Sequence, residues 1–133
     1  MIQLLGYPGV GKYTVGCHLR NAMSSRGQTV RLLDNHRTAR DQPTALDRHR
    51  ELARKRSATF VPVVLRCERD EAIRRGTTPS RASRHKLVDP AVLRSVHRNG
   101  MTVPGWPDLV ELDVTHLDAA AAAAEVLRLA DEA

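Results

Sequence analysis

GYPGVGKYT, at residues 6–14, separates a short apolar run from a segment with helical spacing. The positions of its glycines and lysine nearly match the phosphate-loop pattern GxxxxGK[ST]. Glycine lets the backbone turn its N–H groups inward around a phosphate, and the helix that follows directs its positive end at the same anion. The sequence therefore predicts that the loop from Gly6 to Thr14 binds the phosphates of a nucleoside triphosphate, with ATP as the expected nucleotide.

The predicted phosphate site combines backbone groups with one charged side chain. Its binding residues are Gly6, Gly9, Val10, Gly11, Lys12, Tyr13 and Thr14. Lys12 is also assigned a catalytic role, because its ammonium group reaches the β- and γ-phosphates. The pattern expects a Ser or Thr hydroxyl on Mg²⁺ directly after the lysine, but Tyr13 stands there. This departure weakens direct ligation of Mg²⁺ by the loop and leaves Thr14 as the candidate ligand.

Apolar runs alternate with helical spacing along the whole chain. Strands are predicted at residues 2–5, 29–33, 59–67 and 109–114, and helices at 12–25, 45–56, 68–75, 90–98 and from Asp118 onward. This alternation predicts an α/β fold with helices on both faces of a small, mostly parallel sheet of about four strands. Residues 1–133 are expected to form a single domain of this kind. Pro62 marks an edge or an end of its strand, and Leu46 and Leu52 are expected to face inward.

Asp34 lies at the carboxyl end of the second predicted strand, where ligands bind in open α/β sheets. It is a candidate catalytic base for an acceptor hydroxyl, or a ligand of Mg²⁺ through water. A plain capping role at the strand end fits the sequence as well, and both interpretations stay open.

A basic stretch follows the third predicted strand. It contains Arg74, Arg75, Arg81, Arg84 and Lys86. Such side chains neutralise the charge that develops in phosphoryl transfer, and Arg81 and Arg84 are the two to which we assign a catalytic role. The alternative is a solvated basic loop in an arginine-rich chain.

Composition limits the classes of partner. The formal net charge is +6, which suits a phosphate ligand, a nucleic acid or simply solvated faces. The absence of a nucleic-acid-reading motif and an aromatic content of 3% argue against nucleic acid. No apolar run is long enough for a membrane span or a signal peptide, so a cytoplasmic location without a membrane partner is expected. Cys17 and Cys67 are expected to be buried thiols, and a small sheet with exposed edges is compatible with a homodimer.

Other residues are assigned to the surface or to packing. The histidines outside the second-strand region have no ligand spacing and are expected at the surface. They are His18, His49, His85, His97 and His116. Trp106 is expected to pack within a loop.

Four strings together resemble a known group of proteins. They are GYPGVGKYTVG, LLDNH, FVPVVLRCERDEAIRR and SRASRHKLVDP. They are similar to bacterial P-loop ATP-binding proteins, often described as AAA-family or shikimate-kinase-like, that are related to chloramphenicol phosphotransferase and the nucleoside monophosphate kinases. The resemblance implies a P-loop NTPase fold (three-layer α/β/α), the cofactors ATP and Mg²⁺, and a small-molecule acceptor. It places the acidic residue of the acceptor side at Asp34 and the arginines of the lid at Arg74, Arg75, Arg81 and Arg84. Adenylate-kinase-like loops also lack the hydroxyl directly after the lysine.

The resemblance breaks between residues 37 and 44. A strand and a substrate-binding helical segment are expected there in the family, but the chain has only a short polar stretch. We expect the second strand to move inward and pair with the first. The leading hypothesis is a kinase-like phosphotransferase acting on a small-molecule hydroxyl. Two alternatives stay open, a nucleotide-binding module without phosphoryl transfer and, more weakly, a basic nucleic-acid-binding domain.

Overall fold

A computed structural model describes residues 1–33, 42–84, 86–101, 103 and 105–133, with the backbone alone at 42–46. Within these residues the chain is α/β. The strands are β1 (Ile2–Leu5), β2 (Val61–Arg66) and β3 (Val110–Asp113). The helices are α1 (Lys12–Ser25), α2 (Gln42–Lys55), α3 (Arg69–Gly76), α4 (Pro79–Ala82), α5 (Pro90–Arg98) and α6 (Ala119–Asp131).

The described strands form one parallel sheet in the order β1-β2-β3. Pro62 therefore lies in the central strand rather than at an edge of the sheet, but it is the second residue of β2, so the alternative prediction that it marks an end of its strand is confirmed. Its missing N–H is tolerated for a local reason. The amide of Val61 donates to Met1 on the β1 side, so the nitrogen of the next residue faces β3, whose pairing begins only at Val63. No ladder hydrogen bond is lost.

The predicted second strand at residues 29–33 is not formed, and the expectation that it pairs with β1 is wrong. Among the described strands, β1 pairs with β2 alone. The segment lies instead against α1, where Leu32 contacts Gly16, and Leu33 is 72% exposed. Strand propensity expresses how well a side chain fits a half-buried pleated surface, and this segment does not reach one. The described sheet therefore has three strands rather than about four.

The two faces of the sheet are covered differently. Alternate residues of β1 and β2, together with Leu112 of β3, pack against α1 and α6 and form the larger core. On the other face Leu5 and Val64 pack against Met101, Val103, Trp106 and Leu109. Trp106 is a packing residue, as predicted, and its ring meets Phe60 edge-on at 5.7 Å. Gln3 on this face bonds to His49 of α2 at 2.7 Å.

The helix boundaries follow capping rules. Asp89 caps α5 by accepting from the amides of Ala91 and Val92, with Pro90 in the first turn. Asp118 caps α6 by accepting from the amide of Ala121. Both caps were predicted.

The inward face predicted for α2 is wrong at Leu52, which is 39% exposed. The neighbouring Ala53 is buried at 1% exposure, so the buried side of the helix includes this small residue. The side chain of Leu46 lies outside the described residues.

Candidate phosphate-binding site

The loop between β1 and α1 depends on glycine for its shape. Gly6, Gly9 and Gly11 have φ angles of +145°, +96° and +95°, a region that L side chains rarely adopt. Gly9 also allows a close approach of another element, because a Cβ there would lie 2.1 Å from the carbonyl oxygen of Ala72 in α3. Around Gly11 no atom lies within 4 Å of such a Cβ, so at that position the backbone angle alone favours glycine.

Lys12 begins α1 and folds back over the loop. Its Nζ donates to the carbonyl oxygens of Gly6 at 2.6 Å and Tyr7 at 2.9 Å. The helix is preceded by Gly11 without a side-chain cap, and its first turn contains no acidic residue. The first N–H groups of a helix have no partner within the helix. The start of α1 therefore combines a cation, N–H groups that have no partner inside the helix, and the positive end of a 14-residue helix dipole.

Helix α3 supports the loop from outside. Besides the contact between Gly9 and Ala72, Gly76 at the end of α3 lies close to both Gly9 and Leu93. A Cβ on Gly76 would lie 2.7 Å from Cδ1 of Leu93, which is fully buried in α5. Small residues on α3 thus allow the loop, α3 and α5 to pack at short range, and the loop conformation depends on both helices.

The end of α5 contacts the loop through His97. Its ring stacks on Tyr7 with centroids 4.4 Å apart. Its Nε2 lies 3.3 Å from the carbonyl oxygen of Pro8, and because a carbonyl only accepts, the imidazole donates through this nitrogen. The prediction that His97 lies at the surface is therefore wrong, because its side chain is half-buried, and the same holds for His49. The available signal was the i, i+4 spacing of His97 from the apolar Leu93.

Arg74 and Arg75, both predicted to be lid residues, are held by Glu71. Arg74 donates twice to this carboxylate, at 2.6 and 2.7 Å, and Arg75 donates to it at 2.6 Å. The two arginines lower the pKa of Glu71 to about 2 through these hydrogen bonds. Arg75 also donates to the carbonyl oxygen of Thr115 at 2.9 Å. Arg75 therefore joins α3 to the exit of β3.

Thr115 completes this connection. It is buried at 7% exposure, and its hydroxyl accepts from the amide of Glu68 at 2.9 Å. Its own amide donates to Asp113 at 2.8 Å, and the hydrogen bonds from Thr115 lower the pKa of that carboxyl. Sequence reasoning missed this network, since a single threonine after a strand carries no distinctive pattern.

The later part of the basic stretch contacts the start of α1. The guanidinium carbon of Arg84 lies 4.9 Å from the centroid of the Tyr13 ring, and Nζ of Lys86 lies 5.8 Å from it. Both distances are within the range of a cation–π interaction. The structure thus brings Arg84, Lys86, Tyr13 and Lys12 into one region, although residues 12 and 84 are far apart in sequence.

Arg81 is placed differently from Arg84. Its Nη2 donates to the carbonyl oxygen of Leu87 at 3.2 Å, and its buried Nε has no partner among the described residues. Burial lowers the pKa of this guanidinium from its ordinary value. Arg81 therefore supports the backbone of the basic segment.

Of the two candidate magnesium ligands, Thr14 and Asp34, the structure describes only Thr14. Thr14 is exposed in the first turn of α1. Asp34 lies outside the described residues. His85, which was predicted to lie at the surface, is also outside them. Within the part of the chain that the structure describes, no three His, Cys, Asp or Glu side chains lie close enough together to hold a metal ion.

Cys17 and Cys67 are free but only half-buried, so the expectation that they are buried is wrong. Burial raises the pKa of the Cys67 thiol. A thiol rather than a thiolate is therefore expected at neutral pH, which argues against a nucleophilic role.

Comparison of the chain with known proteins identifies no relative. No family model matches the chain, and no curated protein or solved structure matches it. Among the described helices, none has the length and apolar character needed to cross a bilayer.

Proposed function

We propose that this protein is a small P-loop NTPase of kinase type that binds the phosphates of ATP in the loop from Gly6 to Thr14. The observation that carries the proposal is the strand–loop–helix unit in which three glycines have positive φ and Lys12 lies over the loop backbone. A phosphate bound there would meet the ammonium group and the first amides of α1 together.

A kinase-like reaction on a small-molecule hydroxyl is the leading form of this proposal. Lys12 would stabilise the transferred phosphoryl group, and Arg84 would approach the same region from the basic stretch. Asp34 stays the predicted base for the acceptor. The acceptor itself is not specified by the described residues.

A nucleotide-binding module without phosphoryl transfer is the second candidate. It is favoured by the position of Arg75, whose guanidinium group donates to Glu71 and to the carbonyl oxygen of Thr115 at the exit of β3. One of the four arginines expected to form a lid is thereby committed to structural contacts, whereas Arg74 pairs with Glu71 of its own helix and is 70% exposed.

Calorimetric titration with ATP tests the proposal, with hydrolysis followed in parallel. We expect Lys12→Ala to weaken binding at least about tenfold, because a charge-assisted contact to phosphate is lost. Lys55→Ala is the matched control, since the side chain of Lys55 is 67% exposed on α2. Turnover with the wild type would favour the enzyme, whereas binding without turnover would favour the module. Equal affinity of the Lys12→Ala variant and the wild type would overturn the phosphate-loop assignment.

A further inference from the structure

Residues Tyr7 to Val10 form a β-turn in the first half of the loop. The amide of Val10 donates to the carbonyl oxygen of Tyr7 at 3.4 Å, and Gly9, at the third position of the turn, has a φ of +96°. Pro8, at the second position, is restricted to a negative φ by its ring. A positive φ confined to the third position defines a type II turn, for which Pro-Gly is a favoured pair.

The orientation of the peptide group between Pro8 and Gly9 distinguishes this turn from the type I form. The two forms differ in ψ of the second residue and φ of the third, so one converts to the other by rotation of this peptide group. Proline fixes only its φ and glycine tolerates either sign, so both forms are open to the pair. In a trans peptide the carbonyl and the N–H point to opposite sides. A contact that holds the Pro8 carbonyl thus also fixes the direction of the Gly9 N–H.

His97, at the end of α5, supplies this contact. Its Nε2 lies 3.3 Å from the Pro8 carbonyl oxygen, which makes a long hydrogen bond. The stack on Tyr7, with centroids 4.4 Å apart and planes inclined by 25°, orients the ring. The two preceding carbonyls, those of Gly6 and Tyr7, accept from Nζ of Lys12 instead. Three successive carbonyl groups are therefore bound by side chains, and His97 binds the one between proline and glycine.

We infer that His97 is a positioning residue, which holds the turn in its type II form and thereby directs the Gly9 N–H at the bound phosphate. This inference rests on the proposed function, because the Gly9 N–H belongs to the predicted phosphate site. The type I form turns this N–H away and lacks one donor, so it is the form of lower affinity. Because the linkage is reciprocal, a bound nucleotide also stabilises the contact of α5 with the loop.

Two substitutions at His97 separate its hydrogen bond from its volume. His97→Gln keeps an N–H donor at about the reach of Nε2, whereas His97→Leu removes the donor. NMR of the nucleotide-free protein reports on the turn through the nuclear Overhauser effect between Hα of Pro8 and the amide proton of Gly9, because the type II form brings these protons together. We expect this effect to be strong in the wild type and in His97→Gln, and weaker in His97→Leu.

Calorimetric titration with ATP supplies the second readout. His97→Leu should weaken binding by about three- to tenfold, the range of one hydrogen bond, and His97→Gln should stay within about twofold of the wild type. His18→Leu is the matched control, since His18 is exposed on α1 and should change neither readout.

Variants of the stacking partner test the same contact independently. Tyr7→Leu removes the ring that orients His97, so both the nuclear Overhauser effect and the affinity for ATP should decrease. Tyr7→Phe keeps the ring and should retain both.

Failure of the inference differs from failure of the proposed function. An undiminished nuclear Overhauser effect in both His97→Leu and Tyr7→Leu would overturn the inference and leave the phosphate loop in place. Equal losses of affinity in His97→Gln and His97→Leu would do the same, because they would indicate a merely structural role for the side chain. The absence of ATP binding by the wild type would overturn the proposed function, and the NMR comparison would then decide separately whether His97 holds the turn.

Discussion

At the scale of single residues, glycine is required at position 9 for two separate reasons. Its φ of +96° disfavours any side chain, and its Cα approaches the backbone of α3. We expect Gly9→Ala to lower the free energy of unfolding by about 3 kcal/mol or more, combining backbone strain with overpacking. Chemical denaturation with urea measures the change.

Gly11→Ala is the matched control for Gly9→Ala. Its φ is nearly the same, but no atom would contact the added methyl group. Its cost should be about 1–2 kcal/mol, from the backbone term alone. Equal losses for the two variants would contradict the close contact of the loop with α3.

Residue patterns predicted part of the site and missed the rest for a physical reason. The glycines and Lys12 were found because a phosphate loop fixes their spacing along the chain. The contacts of His97 with Pro8, and of Arg84 with Tyr13, join residues at least 70 positions apart. Their partners depend on how α3 and α5 pack, which the sequence pattern does not encode.

At the scale of elements, α3 holds the loop and the exit of β3 together. The pKa of Glu71 is lowered to about 2 by its hydrogen bonds with Arg74 and Arg75. A carboxyl with a lowered folded-state pKa stabilises the protein above its unfolded value of about 4.3, and this contribution is lost as the pH falls toward 2. Thermal unfolding between pH 5 and pH 2 should therefore show a smaller loss of stability for Glu71→Gln than for the wild type.

Asp70→Asn provides the control for this pH dependence. Asp70 is also in the first turn of α3, and its side chain is 90% exposed. An identical pH profile for Glu71→Gln and the wild type would contradict the ion-pair assignment at Glu71.

The second element-scale prediction concerns the contact of α5 with α3. Leu93 is fully buried and contacts Gly76. Leu93→Ala should lower the free energy of unfolding by about 2–5 kcal/mol, because it leaves a cavity between the two helices. Leu33→Ala, at a side chain that is 72% exposed, should change stability by less than about 0.5 kcal/mol. A small effect at Leu93 would contradict the packing described here.

Elements with their own end signals were the ones that the sequence predicted well. Helices α1, α5 and α6 begin directly after Gly11, Asp89 and Asp118, which are residue types that favour the N-cap position. Residues 29–33 were assigned wrongly because strand propensity expresses the fit of side chains to a pleated surface and does not by itself place a segment in the sheet. Here Leu32 packs on α1, and the segment is not part of the described sheet.

At the scale of the whole molecule, the parallel sheet brings the start of α1 and the segment after β2 to one end of the fold. The α/β class was predicted correctly from the alternation of strands and helices. The number of strands was not, since it depends on which segments find a place in the sheet. The proposal of a P-loop NTPase rests on the site at this end, where Lys12, Tyr13 and Arg84 come together.

The location of the bound phosphates is the most direct test of this account. Amide chemical shifts of isotope-labelled protein, followed by NMR during titration with ATP, report on each loop residue separately. We predict that the largest changes occur at residues 9–14 and that they disappear in the Lys12→Ala variant. Changes centred elsewhere on the surface, or no changes with the wild type, would contradict phosphate binding by this loop.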